Sequence, residues 1–220
     1  MNEYLLIKFA HIVAFVYWLG GDLGTFIASR QVVNADNSPE ARNIALKIML
    51  ACDMGPKLAM PLIFPMGLHL AHMMGAVEIT TAVLIAVWAI SLYWFTIVLT
   101  LYLNEGKPFT AGLAKTDFYF RLGVVVLLVA YGVAALVTQG TTADWIAWKI
   151  LVFAALVSCG IGIRVNLKPF LPAFVEMMSK GPSDAGNTAM AQSISRCRPY
   201  VWCIWAGLFV NAALGTRLLG

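Results

Sequence analysis

Three histidines and one lysine combine versatile chemistry with strongly apolar surroundings in this chain. His11 stands in Lys8-Phe9-Ala10-His11, and Lys149 in Trp145-Ile146-Ala147-Trp148-Lys149. His69 and His72 stand in Met66-Gly67-Leu68-His69-Leu70-Ala71-His72-Met73-Met74. Helical spacing there sets Met66, His69 and Met73 along one stripe, with His72 three residues beyond His69. Imidazole with thioether suits copper(I), whereas imidazoles facing one another across helices suit haem iron. Each histidine taken alone also has an ordinary reading, a buried ring bonded to a carbonyl or a Trp N–H, and methionine stripes commonly only pack. The chemistry therefore depends on whether the elements carrying these residues bring them together.

Those elements are set by composition. Of 220 residues, 60% are hydrophobic and 12% charged, and the mean hydropathy is +0.80. Soluble domains have about 45–50% apolar and about 25% charged residues. A chain this apolar cannot cover itself with polar surface, which excludes a soluble globular enzyme, a disordered chain and a secreted disulfide scaffold. The formal charge of +4 is scattered, with no basic run suited to nucleic acid. Cys52, Cys159, Cys197 and Cys203 form no CxxC and read as free thiols. No hydrolase nucleophile set, phosphate-cradling loop or HExxH motif is present.

The expected fold is all-α, a polytopic transmembrane bundle forming one membrane-embedded domain over residues 1–220. A helix needs about 20 apolar residues to cross a core of about 30 Å. Six stretches qualify: Tyr4–Ser29, Leu50–Gly75, Thr80–Leu103, Phe118–Thr138, Trp145–Asn166 and Tyr200–Leu219. Ser38-Pro39-Glu40 reads as an N-cap that starts the second helix well before its span. Residues 167–199 read as a cytoplasmic loop, within which Pro169–Met178 suits either a short interfacial helix or an ordinary loop. Loops 1, 3 and 5 with their flanks hold eleven of the 15 Lys and Arg, which by the positive-inside rule puts both termini outside, on the periplasmic side. That distribution fits a bacterial inner membrane. At about 1.5 Å per residue, His11 lies about 10 Å deep, His69 and His72 roughly 9 and 5 Å, and Lys149 about 6 Å, all from the outer surface. All the histidines and one intramembrane lysine thus share a layer, and ionisable groups there mark functional sites or buried pairs.

A second polar set lies toward the opposite side. Asp22 follows Gly20-Gly21, and Asp53 and Lys57 stand at i,i+4 on helix 2. This set reads either as an ion or proton path or as a structural salt link joining helices 1 and 2, with Gly20 and Gly21 allowing close approach.

Lys8-Phe9-Ala10-His11 followed by Trp18-Leu19-Gly20-Gly21 resembles the first helix of the HemJ-type protoporphyrinogen oxidases and of the related copper-resistance D (CopD) membrane family. Trp145-Ile146-Ala147-Trp148-Lys149 resembles the Trp-x-x-x-Lys turn of a later HemJ helix. The resemblance implies that His11 ligates a b-type haem and that Lys149 is its companion functional residue. It covers about a quarter of the chain. Two departures stand: HemJ-type proteins commonly have four helices, and the Leu-Pro-Arg that follows their first-helix glycine is absent here.

Three functional readings follow. The first is a haem-b membrane redox protein, possessing an oxidoreductase activity or an electron-transfer role, with His11 as one axial ligand and His69 or His72 as the other. Lys149 would then face a propionate or a substrate carboxylate, and the partner would be a redox protein or a hydrophobic small molecule from the bilayer. The second is a copper-binding or copper-transporting protein using His11, His69, His72, Met66 and Met73. The third is a non-catalytic anchor or assembly subunit, for which oligomerisation is natural.

Overall fold

The computed structural model describes residues 2–138, 140 and 142–218, and over these the chain is helical apart from short connections and one isolated bridge. The helices are α1 (Glu3–Val33), α2 (Pro39–Met73), α3 (Thr81–Leu103), α4 (Thr110–Thr138), α5 (Asp144–Asn166), α6 (Phe170–Lys180) and α7 (Asp184–Gly215). Short polar side chains start four of them by accepting an otherwise orphaned backbone N–H. Asn2 accepts from Tyr4 at 3.1 Å, Ser38 from Ala41 at 3.3 Å, Thr80 from Val83 at 3.3 Å and Ser183 from Gly186 at 3.1 Å. The cap at Ser38 thus stands where the sequence puts it.

Five segments are long and apolar enough to cross a membrane: α1, α2, α3, α4 and the run from α5 into α6. The sixth expected stretch forms the second half of α7. It is less apolar, with Asn211 within it and Arg198 at its edge, and its last residue, Leu219, lies outside the described residues. Two expectations are corrected. α4 begins at Thr110, about two turns before Phe118, so loop 3 shrinks to a short connection. Within residues 167–199, α6 matches the short helix allowed at Pro169–Met178, but the remainder is the first half of α7 and not loop, because Ser183 caps a helix whose Met190, Ile194 and Cys197 recur on one buried face.

Six helices close into a ring in the order α1, α2, α3, α4, α5, α7, and α2 touches α5 across its middle. The outward surface is apolar: Phe9 is 67%, Leu127 70% and Val137 76% exposed. Such a surface suits lipid and not water. At the end where Asn2 and Leu218 lie, here termed the terminal end, an isolated bridge pairs Val77 with Thr142, and the Ala143 N–H donates to the Ala76 carbonyl at 2.8 Å. At the opposite end a second core joins Val32, Met49, Phe170, Phe174, Met177 and Met190. Arg42 is fully buried beside it. Its guanidinium donates to the Val32 carbonyl at 2.7 Å and to Asn187 Oδ1 at 2.8 Å, and touches Met190 Sδ at 3.7 Å, tying the ends of α1, α2 and α7 together without any acid.

The tightest contact is between α1 and α2, and it depends on missing side chains. A Cβ on Gly21 would come within 2.6 Å of the Cys52 carbonyl oxygen and 2.5 Å of Pro56 Cδ. A Cβ on Gly55 would come within 2.6 Å of the Tyr17 carbonyl, and one on Gly24 within 2.7 Å of Cys52 Sγ. Pro56 leaves the Cys52 carbonyl without its usual i+4 donor, and that carbonyl lies at the crossing. Gly20 faces open space, so of the expected Gly20–Gly21 pair only Gly21 makes the approach. Replacing Gly21 by Leu should therefore cost roughly 3 kcal/mol or more through overpacking against backbone, lowering the melting temperature in detergent. Gly20→Leu should leave it nearly unchanged; equal losses for both would contradict the crossing.

Candidate functional site

A cavity of about 310 Å³ lies between α1, α2, α5 and α7 at the terminal end. Its deeper wall is apolar and aromatic, with Phe15, Trp18, Phe64, Leu68, Phe153 and Leu208. Its polar groups converge near the rim: Lys8 and His11 from α1, Trp145 and Lys149 from α5, and Asn211 from α7. Lys8 and His11 are three residues apart, and Trp145 and Lys149 four apart, so each pair shares a helix face. Trp148 is turned away and exposed.

His11 sits directly against α2. A Cβ on Gly67 would meet the His11 Cε1 at 3.0 Å, so any side chain there would push the ring back by a few tenths of an ångström. Across the cavity, Lys149 Nζ donates to the Asn211 carbonyl at 2.7 Å, near the end of α7, where an ammonium also meets the negative end of the helix dipole. A Cβ on Gly215 would lie 2.7 Å from that Nζ. Three buried polar atoms around the cavity have no partner: His11 Nδ1, Trp145 Nε1 and Asn211 Oδ1. Buried polar atoms are nearly always paired, so three orphans around one void mark a place for a polar ligand or water.

The other expected ligands do not join His11. With Gly67 facing His11, a helix turning about 100° per residue carries His69 about 200° away and His72 about 140° away. His69 indeed lies edge-on to Trp88 of α3, with ring centroids 6.5 Å apart, and its Nε2 is 3.9 Å from Glu3 Oε1. His72 lies in the last turn of α2, and Met66 and Met73 do not line the cavity, Met73 being 40% exposed. The expected pairing of His11 with His69 or His72 on one iron, and the five-donor copper set, are thus not assembled. Rotation about the α2 axis separates them. Among the described residues, no group of three or more His, Cys, Asp or Glu is placed to hold a metal ion.

No protein-family model, curated protein or solved structure matches this chain. The site is accordingly read from its own chemistry.

In the second polar set, Lys57 pairs with Asp53 on α2 itself, not with α1. Asp22 lies beside Gly21 at the crossing, within electrostatic reach of Asp53, with its Oδ2 buried and unpartnered. The expected salt link between helices 1 and 2 is therefore absent, and the glycine crossing does that work.

Sequence reasoning missed the most buried charge cluster. Asp117 of α4 is 3% exposed and receives Arg121 Nε at 3.0 Å, an Arg164 amine at 2.8 Å and Trp94 Nε1 at 3.2 Å. Arg164 also donates to the Ala114 carbonyl at 2.7 Å, and Arg121 lies over the Trp94 ring at 5.1 Å. One carboxylate so joins α3, α4 and α5. Arg121 and Arg164 are among the eleven Lys and Arg of the loops and their flanks, and the i,i+4 spacing of Asp117 and Arg121 is the signal in the sequence. Asp117→Asn should destabilise the protein by about 1–3 kcal/mol, since it removes the charged acceptor from the partly buried guanidiniums of Arg121 and Arg164. A detergent melting curve shifted no more than that of an exposed Glu105→Gln control would contradict this.

Proposed function

We propose that this is a six-span inner-membrane protein of a bacterium, with both termini outside, and that its cavity binds a b-type haem serving electron transfer or oxidation of a hydrophobic molecule from the bilayer. The observation carrying this reading is that His11, with a buried unpartnered Nδ1, and Lys149 face one apolar, aromatic-walled cavity near its rim. These residues fit the group. His11 would hold the iron as its only histidine from the chain. Lys149, with Lys8 at the rim, would hold the propionates, and the Trp145 N–H would supply a further donor. Phe64, Phe153 and Trp18 would exclude water from the macrocycle. A bound haem supplies one-electron chemistry at its iron. The cavity volume of about 310 Å³ stands at the lower end of sites for such ligands, and exposed Lys8, Ile12 and Met74 on its lining form a mouth through which part of the ligand can extend. Lys8 and His11, and Trp145 and Lys149, of the turns that resemble HemJ-type proteins, all line this cavity.

The purified protein from haem-replete cells should show a Soret band, with α and β bands after dithionite. His11→Ala should abolish them, Lys149→Gln should weaken haem retention, and His69→Ala/His72→Ala should leave the spectrum intact. A featureless wild-type spectrum, or a Soret band retained in His11→Ala, would overturn the assignment; metal content would then separate copper binding from a purely structural bundle.

A further inference from the structure

A second cavity, of about 240 Å³, lies between α2, α3, α4 and α5 on the far side of the α2–α5 contact. Phe64, Leu68, Ile150 and Phe153 form the wall it shares with the first cavity. Its origin is geometric. α3 and α4 are clamped where Trp94 donates to Asp117 and packs on Phe120, with centroids 5.7 Å apart. Toward the terminal end the two helices leave an unfilled gap lined by Val87 and Ser91 on one side and Val124 and Leu128 on the other.

The lining holds no charged side chain. Its hydroxyls are Ser91 and Tyr131, and Tyr131 is already bonded to Thr142 Oγ1 at 2.9 Å. Water needs two to four polar partners to settle in a void, and a ligand head group would lose its hydrogen bonds here. A hydrocarbon loses nothing. The opening faces the same way as the outer surface, because Val83, Ile90, Leu127 and Tyr131 both line the cavity and stand exposed on the apolar exterior. A void that is almost wholly apolar and opens sideways onto a lipid-facing surface is supplied from the bilayer.

We infer that this cavity holds an acyl chain of a membrane phospholipid, inserted laterally between α3 and α4. The volume lies below the about 300–1,000 Å³ of sites that enclose a drug-sized ligand, so it takes a stretch of one chain while the head group stays in the leaflet. The inference rests on the membrane placement of the bundle and is independent of haem.

The test is photolabelling in vesicles of phosphatidylcholine that include phosphatidylcholine with a diazirine midway along one acyl chain. Adducts mapped by peptide mass spectrometry should fall on Val87, Ser91 and Leu128 as well as on outward-facing Ile85 and Val126. Val87→Phe and, separately, Ser91→Phe should fill the void and abolish the inner adducts while sparing the outer ones; if one variant fails to fold, the other decides. Adducts confined to Ile85 and Val126, or inner adducts that persist in a folded filling variant, would overturn the inference. No adducts even at Ile85 and Val126 would overturn it together with the membrane placement.

Discussion

The architecture depends on how closely α1 and α2 approach. Where lipid surrounds a bundle, burying apolar surface gives no advantage over leaving it in the bilayer, so helices associate through packing and backbone proximity. Here Gly21, Gly24 and Gly55 let backbone meet side chain and carbonyl directly. The same seam continues to Gly67, where it receives not backbone but the His11 ring. One feature of composition, glycine at successive contact positions, therefore both holds the helix pair and seats the His11 ring.

The rest of the bundle adds to this pair in two ways. α5 lies against α2 and divides the ring into two compartments, one with basic and imidazole groups, the other almost wholly apolar. At the end away from the termini, buried charges join a second apolar core as organising contacts. Asp117 collects two guanidiniums and an indole from three helices, and Arg42 uses a carbonyl, an amide and a thioether. Removing one partner from such a cluster leaves a charge with no water to turn to, which makes these clusters strict about helix placement.

Much of the site's vertical order was legible in the residues. His11 and Lys149, read as sharing a layer, do line one cavity. His69 and His72 were read into the same group and do not join it, because spacing along a helix says nothing of which neighbour occupies each face. Asp117 escaped notice for a related reason. Arg121 and Arg164, counted one at a time, resemble solvated loop cations, and only the packing of α3, α4 and α5 shows that both pair with one carboxylate. Beyond Pro169–Met178, the stretch to residue 199 is polar enough to pass for a loop, and the structure makes it the first half of α7, capped by Ser183.

What the sequence by itself determined is local and axial. Apolar length defines the long helices, capping side chains place several of their starts, and a rise of about 1.5 Å per residue sets how far along its helix each ionisable group stands. What only the tertiary structure decided is azimuthal and long-range: that Gly67 and not His69 faces His11, that Lys149 reaches the Asn211 carbonyl, and that a gap remains between α3 and α4. Depth follows from counting residues along one helix. Facing depends on how each helix is rotated against its neighbours, and that is settled by contacts between residues far apart in the chain.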